Sequence, residues 1–124
     1  MAEVFVFGSN LAGRHGKGTA FEAFKKHGAI YGQGIGRQGN SYAIPTKDGR
    51  NGRSLSHPSA TLSRAAIQVH VGFFLKYAEE HPEDTFNVTP IGCGHAGYKP
   101  FDIGPMFKGH PDNVKLPKEF LPFI

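Results

Sequence analysis

Apolar positions follow two rhythms along this chain. Glu3 to Phe7 is a short β-branched and aromatic run ending at Gly8, which predicts a buried strand. Thr19 to His27 then sets Ala20, Phe21, Ala23 and Phe24 on one face at helical spacing, with Gly28 placed to stop the helix. Gly28 to Gly39 is rich in glycine and poor in large apolar groups, which predicts a surface loop, and Ser41 to Pro45 reads as a second strand. The polar stretch from Lys47 to Pro58 predicts an exposed loop. The strongest helical signal follows. Leu62, Ala65, Ala66, Val69, Phe73 and Tyr77 recur at three- and four-residue spacing from near Ser59 to before Pro82, and a second set, Ile67, Val71 and Phe74, implies wide burial. Thr85 to Ile91 predicts a strand, Phe101 to Phe107 a short helix broken near Pro105, and Asn113 to Leu116 a last strand.

Strands alternating with helices imply an α/β domain with a mainly parallel sheet, whose ligands bind beyond the carboxyl ends of the strands. Two glycine-rich loops leave such ends. One runs from Gly8-Ser9-Asn10 through Gly18, the other from Gly92-Cys93-Gly94 through Tyr98. Glycine lets backbone N–H groups approach an anion without a Cβ in the way, and a following helix adds its positive dipole end. Two such loops at one sheet edge would hold a diphosphate between them, which points to a nucleotide-like ligand.

Composition narrows the classes. A chain of 124 residues suits one domain, and 39% hydrophobic with 19% charged residues suits a folded one. The formal charge of +4 favours a phosphorylated ligand, but the fourteen Lys and Arg are dispersed, without aromatic-basic interleaving or a recognition-helix motif, so no specific nucleic-acid partner is implied. A single cysteine, Cys93, suits a reducing compartment. No apolar run approaches a membrane span and no signal-type segment opens the chain, so a cytoplasmic protein without a membrane partner is expected. No oligomeric state is implied.

Two phosphate motifs fail on spacing or context. Gly13-Arg14-His15-Gly16-Lys17-Gly18-Thr19 places Lys and Thr among glycines, yet Lys17 is followed by glycine rather than Ser or Thr, so NTPase chemistry is not expected. Gly34-Ile35-Gly36-Arg37-Gln38-Gly39 precedes a strand instead of following one. Gly92-Cys93-Gly94-His95-Ala96-Gly97 does follow a strand, but too little chain remains after it for a dinucleotide-binding half. It stands as a local phosphate loop.

The order of Phe7-Gly8-Ser9-Asn10-Leu11, the glycine-rich lead into a helix, Gly39-Asn40-Ser41-Tyr42-Ala43-Ile44-Pro45 and Ile91-Gly92-Cys93-Gly94-His95-Ala96-Gly97-Tyr98 resembles a compact macro domain over about residues 4 to 107. The resemblance implies a single three-layer macro-like domain over residues 1–124, with a mainly parallel or mixed central sheet, helices on both faces and ADP-ribose as ligand. It implies that Asn10 faces the distal ribose and that Gly92, Gly94, His95, Ala96 and Gly97 hold the diphosphate. Tyr98 would pack on the distal ribose, with His15, Gly16, Lys17 and Gly18 as the facing loop. Gly8, Ser9 and Cys93 complete the binding set. The early Asp that reads adenine in many macro domains has no counterpart here, and Lys17 stands where the family usually has a small residue.

Each of these residues also has a plainer use. Asn10 suits a turn after a strand, His15 and His95 suit polar loops, and Cys93 suits packing beneath one. If the site is catalytic, Asn10 orients the sugar while a loop histidine, His15 or His95, or Asp102 assists water as acid or base; Asp102 equally suits a helix start. His57, His70, His81 and His110 lack metal spacing, and no metal or cofactor is implied. Three classes follow: a hydrolase acting at the distal ribose of an ADP-ribose derivative, a non-catalytic reader or sequestering protein for such a nucleotide, and a nucleic-acid-associated phosphate binder. Phosphate-cradling glycines without an evident acid–base pair favour ligand binding.

Overall fold

A computed structural model describes residues 1–124. In chain order the elements are β1 (Glu3–Asn10), α1 (Gly18–Lys26), β2 (Gly36–Gln38), β3 (Ser41–Lys47), α2 (Arg64–Glu80), β4 (Thr85–Val88), α3 (Pro100–Ile103) and β5 (Val114–Lys115), with short 3₁₀ turns between and after them. The strands form one mixed sheet in the order β2-β3-β1-β4-β5. The central β1 is parallel to both β3 and β4, β4 is parallel to β5, and only β2 runs antiparallel.

The pleat of β1 sorts the core. Val4 and Val6 enter one cluster with Ile44, Phe86 and the Ile67, Val71, Phe74 and Ala78 stripe of α2, whereas Phe7 enters a second cluster with Ala43 and the Ala20 and Ala23 of α1. Alternate side chains of a strand point to opposite faces, so α1 and α2 lie on opposite faces of the sheet.

Several expectations are corrected. The buried side of α2 is the second set, Ile67, Val71 and Phe74, while Val69 and Phe73 are 54% and 58% exposed. Both sets have helical spacing, so periodicity alone does not choose between them. The helix starts at Arg64, not near Ser59, because Thr61 and Ser63 are extended and the segment between them is tied to β3. Thr61 bridges Lys47, and the Leu62 N–H donates to the Thr46 carbonyl at 2.9 Å; Ser63 then caps the helix by accepting from the Ala66 N–H. On α1, Ala20 and Ala23 are buried but Phe21 and Phe24 are 45% and 40% exposed. Gly8 does not end β1, whose pairing with β3 runs on to Asn10, and Lys47 is buried at the end of β3 rather than lying in an exposed loop. The strand at Thr85 stops at Val88, two residues before Pro90, which has no N–H to donate to a ladder.

The glycine-rich segment at residues 28–39 is also not simply a surface loop. It contains β2, and a Cβ on Gly39 would stand 2.8 Å from the Cα of Gly28. Gly28, Gly34 and Gly39 serve backbone-to-backbone packing, while Gly32 and Gly36 hold positive φ values with open space around them.

Candidate functional site

Because β1, β3 and β4 are parallel, their carboxyl ends share one edge of the sheet. Three segments leave that edge, at residues 11–17, 48–63 and 89–99. Buried polar side chains gather there: Ser9 and Asn10 at the end of β1, His15 just beyond, and Thr46 and Lys47 at the end of β3. The first and third segments meet at their roots, where the Cα of Gly8 faces Ile91 closely enough that a Cβ would sit 3.6 Å from the Ile91 Cβ and 3.8 Å from the Gly92 nitrogen.

Asn10 shapes the first loop. Its Oδ1 accepts from the Arg14 N–H at 3.0 Å while its Nδ2 donates to the Arg14 carbonyl at 2.8 Å. Both ends of the amide are thereby occupied, and Ser9 likewise donates its hydroxyl to the Gly34 carbonyl. His15 is fully buried, edge-on to Phe7 and Tyr31. Its Nε2 donates to the Gln33 carbonyl at 2.9 Å, and its Nδ1 is buried without a partner.

Beyond His15 the backbone donors are free. From His15 to Ala20 no backbone N–H has an acceptor within the protein, and the first bond of α1 runs from the Phe21 N–H to the Lys17 carbonyl at 3.2 Å. Lys17, at the N-cap position, provides no side-chain cap, and the first turn has no acidic residue. Four unsatisfied donors are usual at a helix start. Here the series begins in the loop, and Gly16, Lys17 and Gly18 are exposed.

The second loop folds on itself while keeping donors free. The Gly97 N–H donates to the Gly94 carbonyl at 3.0 Å and the Tyr98 N–H to the Gly92 carbonyl at 2.9 Å, leaving the N–H groups of Gly92, Gly94, His95 and Ala96 without a protein acceptor. Positive φ values of 75° and 85° require glycine at positions 92 and 97. The Tyr98 hydroxyl donates to the Leu62 carbonyl at 2.7 Å and the Thr61 hydroxyl to the Ala96 carbonyl at 3.4 Å, so the loop is moored to the segment before α2. Tyr98 is thus an anchor with its polar end engaged.

A groove of about 430 Å³ lies against this loop, lined by Pro90, Cys93, Gly94, Tyr98, Lys99, Pro100 and Glu119. Burial, helped by the Asp102 and Glu119 carboxylates, pushes the Cys93 thiol above its ordinary value, which keeps it protonated and a poor nucleophile. Asp102 accepts from the Lys99 N–H at 3.0 Å and meets Arg64 Nη1 at 3.3 Å, fastening the start of α3. It borders a second groove of about 330 Å³ with Arg64, Gln68 and Met106. Neither groove is lined by the first loop.

The structure therefore brings the two loops to one sheet edge but does not bring Asn10, His15 and Asp102 together. The first closes a turn, the second lies in the core and the third caps a helix, and none is hydrogen-bonded to another. Arg14, Thr46 and Lys47 were missed by sequence reasoning. The available signal was the apolar run from Tyr42 to Pro45, since a lysine continuing such a strand at its carboxyl end faces the region where ligands bind. Compared with protein-family models, curated proteins and solved structures, the chain matches none.

Proposed function

We propose that this chain is a macro-like, three-layer domain that binds ADP-ribose or a related ADP-ribose-derived nucleotide, its diphosphate lying between the two glycine loops. The observation that carries the reading concerns Gly16 and Gly94. Neither has a positive φ, and a Cβ on either would meet nothing within 4 Å, so neither conformation nor packing requires glycine there. Gly72, within α2, is the other glycine with open space and an ordinary φ. In the loops, a glycine that the fold does not need leaves room for a ligand to reach the backbone, and each of these two lies among unpartnered N–H donors. Charge-assisted bonds from such donors to phosphate oxygens, with the uncapped start of α1 and the exposed Lys17 alongside, favour a diphosphate over a neutral ligand.

Binding rather than hydrolysis is the better-supported half of this reading. The engaged states of Asn10, His15 and Asp102 supply no positioned base for water, which fits a reader or sequestering protein in a cytoplasmic setting. Calorimetry with ADP-ribose tests it: one-site binding that persists at moderate salt is expected, whereas any binding of DNA or RNA fades steeply as salt rises. Tight sequence-dependent nucleic-acid binding without an ADP-ribose response would overturn it.

A further inference from the structure

Beside the first loop, the chain between β3 and α2 makes a closed excursion. Its base is zipped by the Lys47–Thr61 bridge, by the Asp48 N–H donating to the Ala60 carbonyl at 2.6 Å and by the Leu62 N–H donating to the Thr46 carbonyl. The span between, residues 48–60, is a strap whose carbonyl groups turn inward onto two cations. Arg14 Nη2 donates to the Gly49 carbonyl at 2.8 Å and also to the Arg53 carbonyl, and Lys47 Nζ donates to the Leu55 carbonyl.

These two cations have no counter-charge. Neither forms an ion pair, and the carboxylate of Asp48 is taken by Arg50 at 2.9 Å and Arg53 at 3.9 Å. Lys47 is only 6% exposed, and Arg14 Nε is buried without any partner. Burial lowers the Lys47 ammonium below its ordinary value, as expected of a charge removed from water without an anion beside it. For Lys47 this is costly, because a neutral carbonyl compensates a buried charge only in part, whereas the half-buried Arg14 keeps part of its guanidinium in solvent. The cations are also tied to the proposed phosphate loop: Asn10 fixes the Arg14 backbone, the Lys47 carbonyl accepts from the Leu11 N–H at 2.9 Å, and the free donors start at His15, next to Arg14.

We infer that Arg14 and Lys47 form a phosphate-binding cation pair covered by the strap, whose carbonyl oxygens stand in for anionic oxygens and give way when a phosphoryl group binds. The inference rests on the nucleotide reading above for the class of ligand and adds two binding residues and a moving cover to it. A phosphate oxygen offers full negative charge where the strap offers a dipole, so the exchange is driven by differential interaction with the two cations. Met in place of Lys47 keeps most of the stem and removes the buried charge.

The test uses inorganic pyrophosphate with the full chain. Lys47→Met is expected to melt at or above the parent temperature, since an uncompensated buried charge has gone, yet to bind pyrophosphate about tenfold or more weakly, the worth of one charge-assisted hydrogen bond. A merely structural lysine would lower the melting temperature and leave the affinity alone. In the parent protein, which needs no variant, pyrophosphate should speed tryptic cleavage after Arg50 and Arg53 as the strap lifts, read by mass spectrometry. Unchanged pyrophosphate affinity in folded Lys47→Met, or strap cleavage indifferent to pyrophosphate, would overturn the inference. Loss of pyrophosphate binding in Gly94→Val but not in Lys47→Met would overturn the cation pair and leave the nucleotide reading standing. Pyrophosphate binding that depends on Lys47 in a protein indifferent to ADP-ribose would do the reverse.

Discussion

Gly34→Ala is expected to lower the melting temperature by roughly 10 °C or more, equivalent to about 3 kcal/mol in a domain of this size. The methyl group would fall far inside van der Waals contact distance of the Asn10 carbonyl oxygen and 3.2 Å from the Gly13 nitrogen. Those are backbone atoms, so no rotamer change relieves the clash. The same contact also seats the site, because the Gly13 N–H donates to the Asn10 carbonyl at 2.9 Å and the Ser9 hydroxyl donates to the Gly34 carbonyl. Moving Gly34 away therefore loosens the turn from which the free donors emerge. A thermal melt monitored by circular dichroism checks it, and a midpoint within about 2 °C of the parent would mean that the segment at residues 30–35 yields as an ordinary surface loop does.

Gly94→Val is expected to leave the melting temperature unchanged while weakening ADP-ribose binding about a hundredfold or more, the worth of two charge-assisted hydrogen bonds. Position 94 has an ordinary φ and open space around its Cα, so the folded chain accepts valine without strain. The branched side chain instead occupies the approach to the free N–H groups of Gly94, His95 and Ala96. The contrast with Gly92, whose φ of 75° belongs to glycine, makes position 94 the cleaner probe. Calorimetric titration of the folded variant checks it, and parent-like affinity would place the diphosphate elsewhere.

The parts of the fold legible in the sequence are those fixed by local pattern. The run from Glu3 to Phe7 and the loop at 92–98 are readable because a strand's apolar burst and a glycine turn are both short-range signals, whereas the first loop begins only after Asn10, since pairing with β3 carries β1 past Gly8. The mainly parallel sheet was legible from strands alternating with helices, but the strand order, with β1 between β3 and β4, was not, because parallel connections leave open which strand is central. The face of α2 was not legible, since two apolar stripes share its surface and only the sheet selects Ile67, Val71 and Phe74 over Val69 and Phe73. Glycine density misled at residues 28–39, where close backbone contacts rather than mobility explain Gly28, Gly34 and Gly39.

In the candidate site, the glycine loops were legible and the side chains were not. Asn10 and His15 sit where polar residues suggest chemistry, yet their hydrogen bonds go to Arg14 and Gln33 in the backbone, a pairing that depends on how the chain turns. Lys47 was hidden for the opposite reason. In sequence it opens a polar stretch and reads as solvated, whereas the strap drawn over it makes it a buried charge.

The central claim is that two runs of free backbone donors take the phosphates of one ligand, and the amide proton–nitrogen spectrum observes those donors individually. Titration with ADP-ribose is expected to shift the N–H signals from Gly16 to Ala20 and from Gly94 to Ala96 together along one saturation curve, with little change at the ends of α2. Saturable shifts confined to Arg64, Gln68 and Met106 around the other groove, or no shift at either glycine loop, would contradict it.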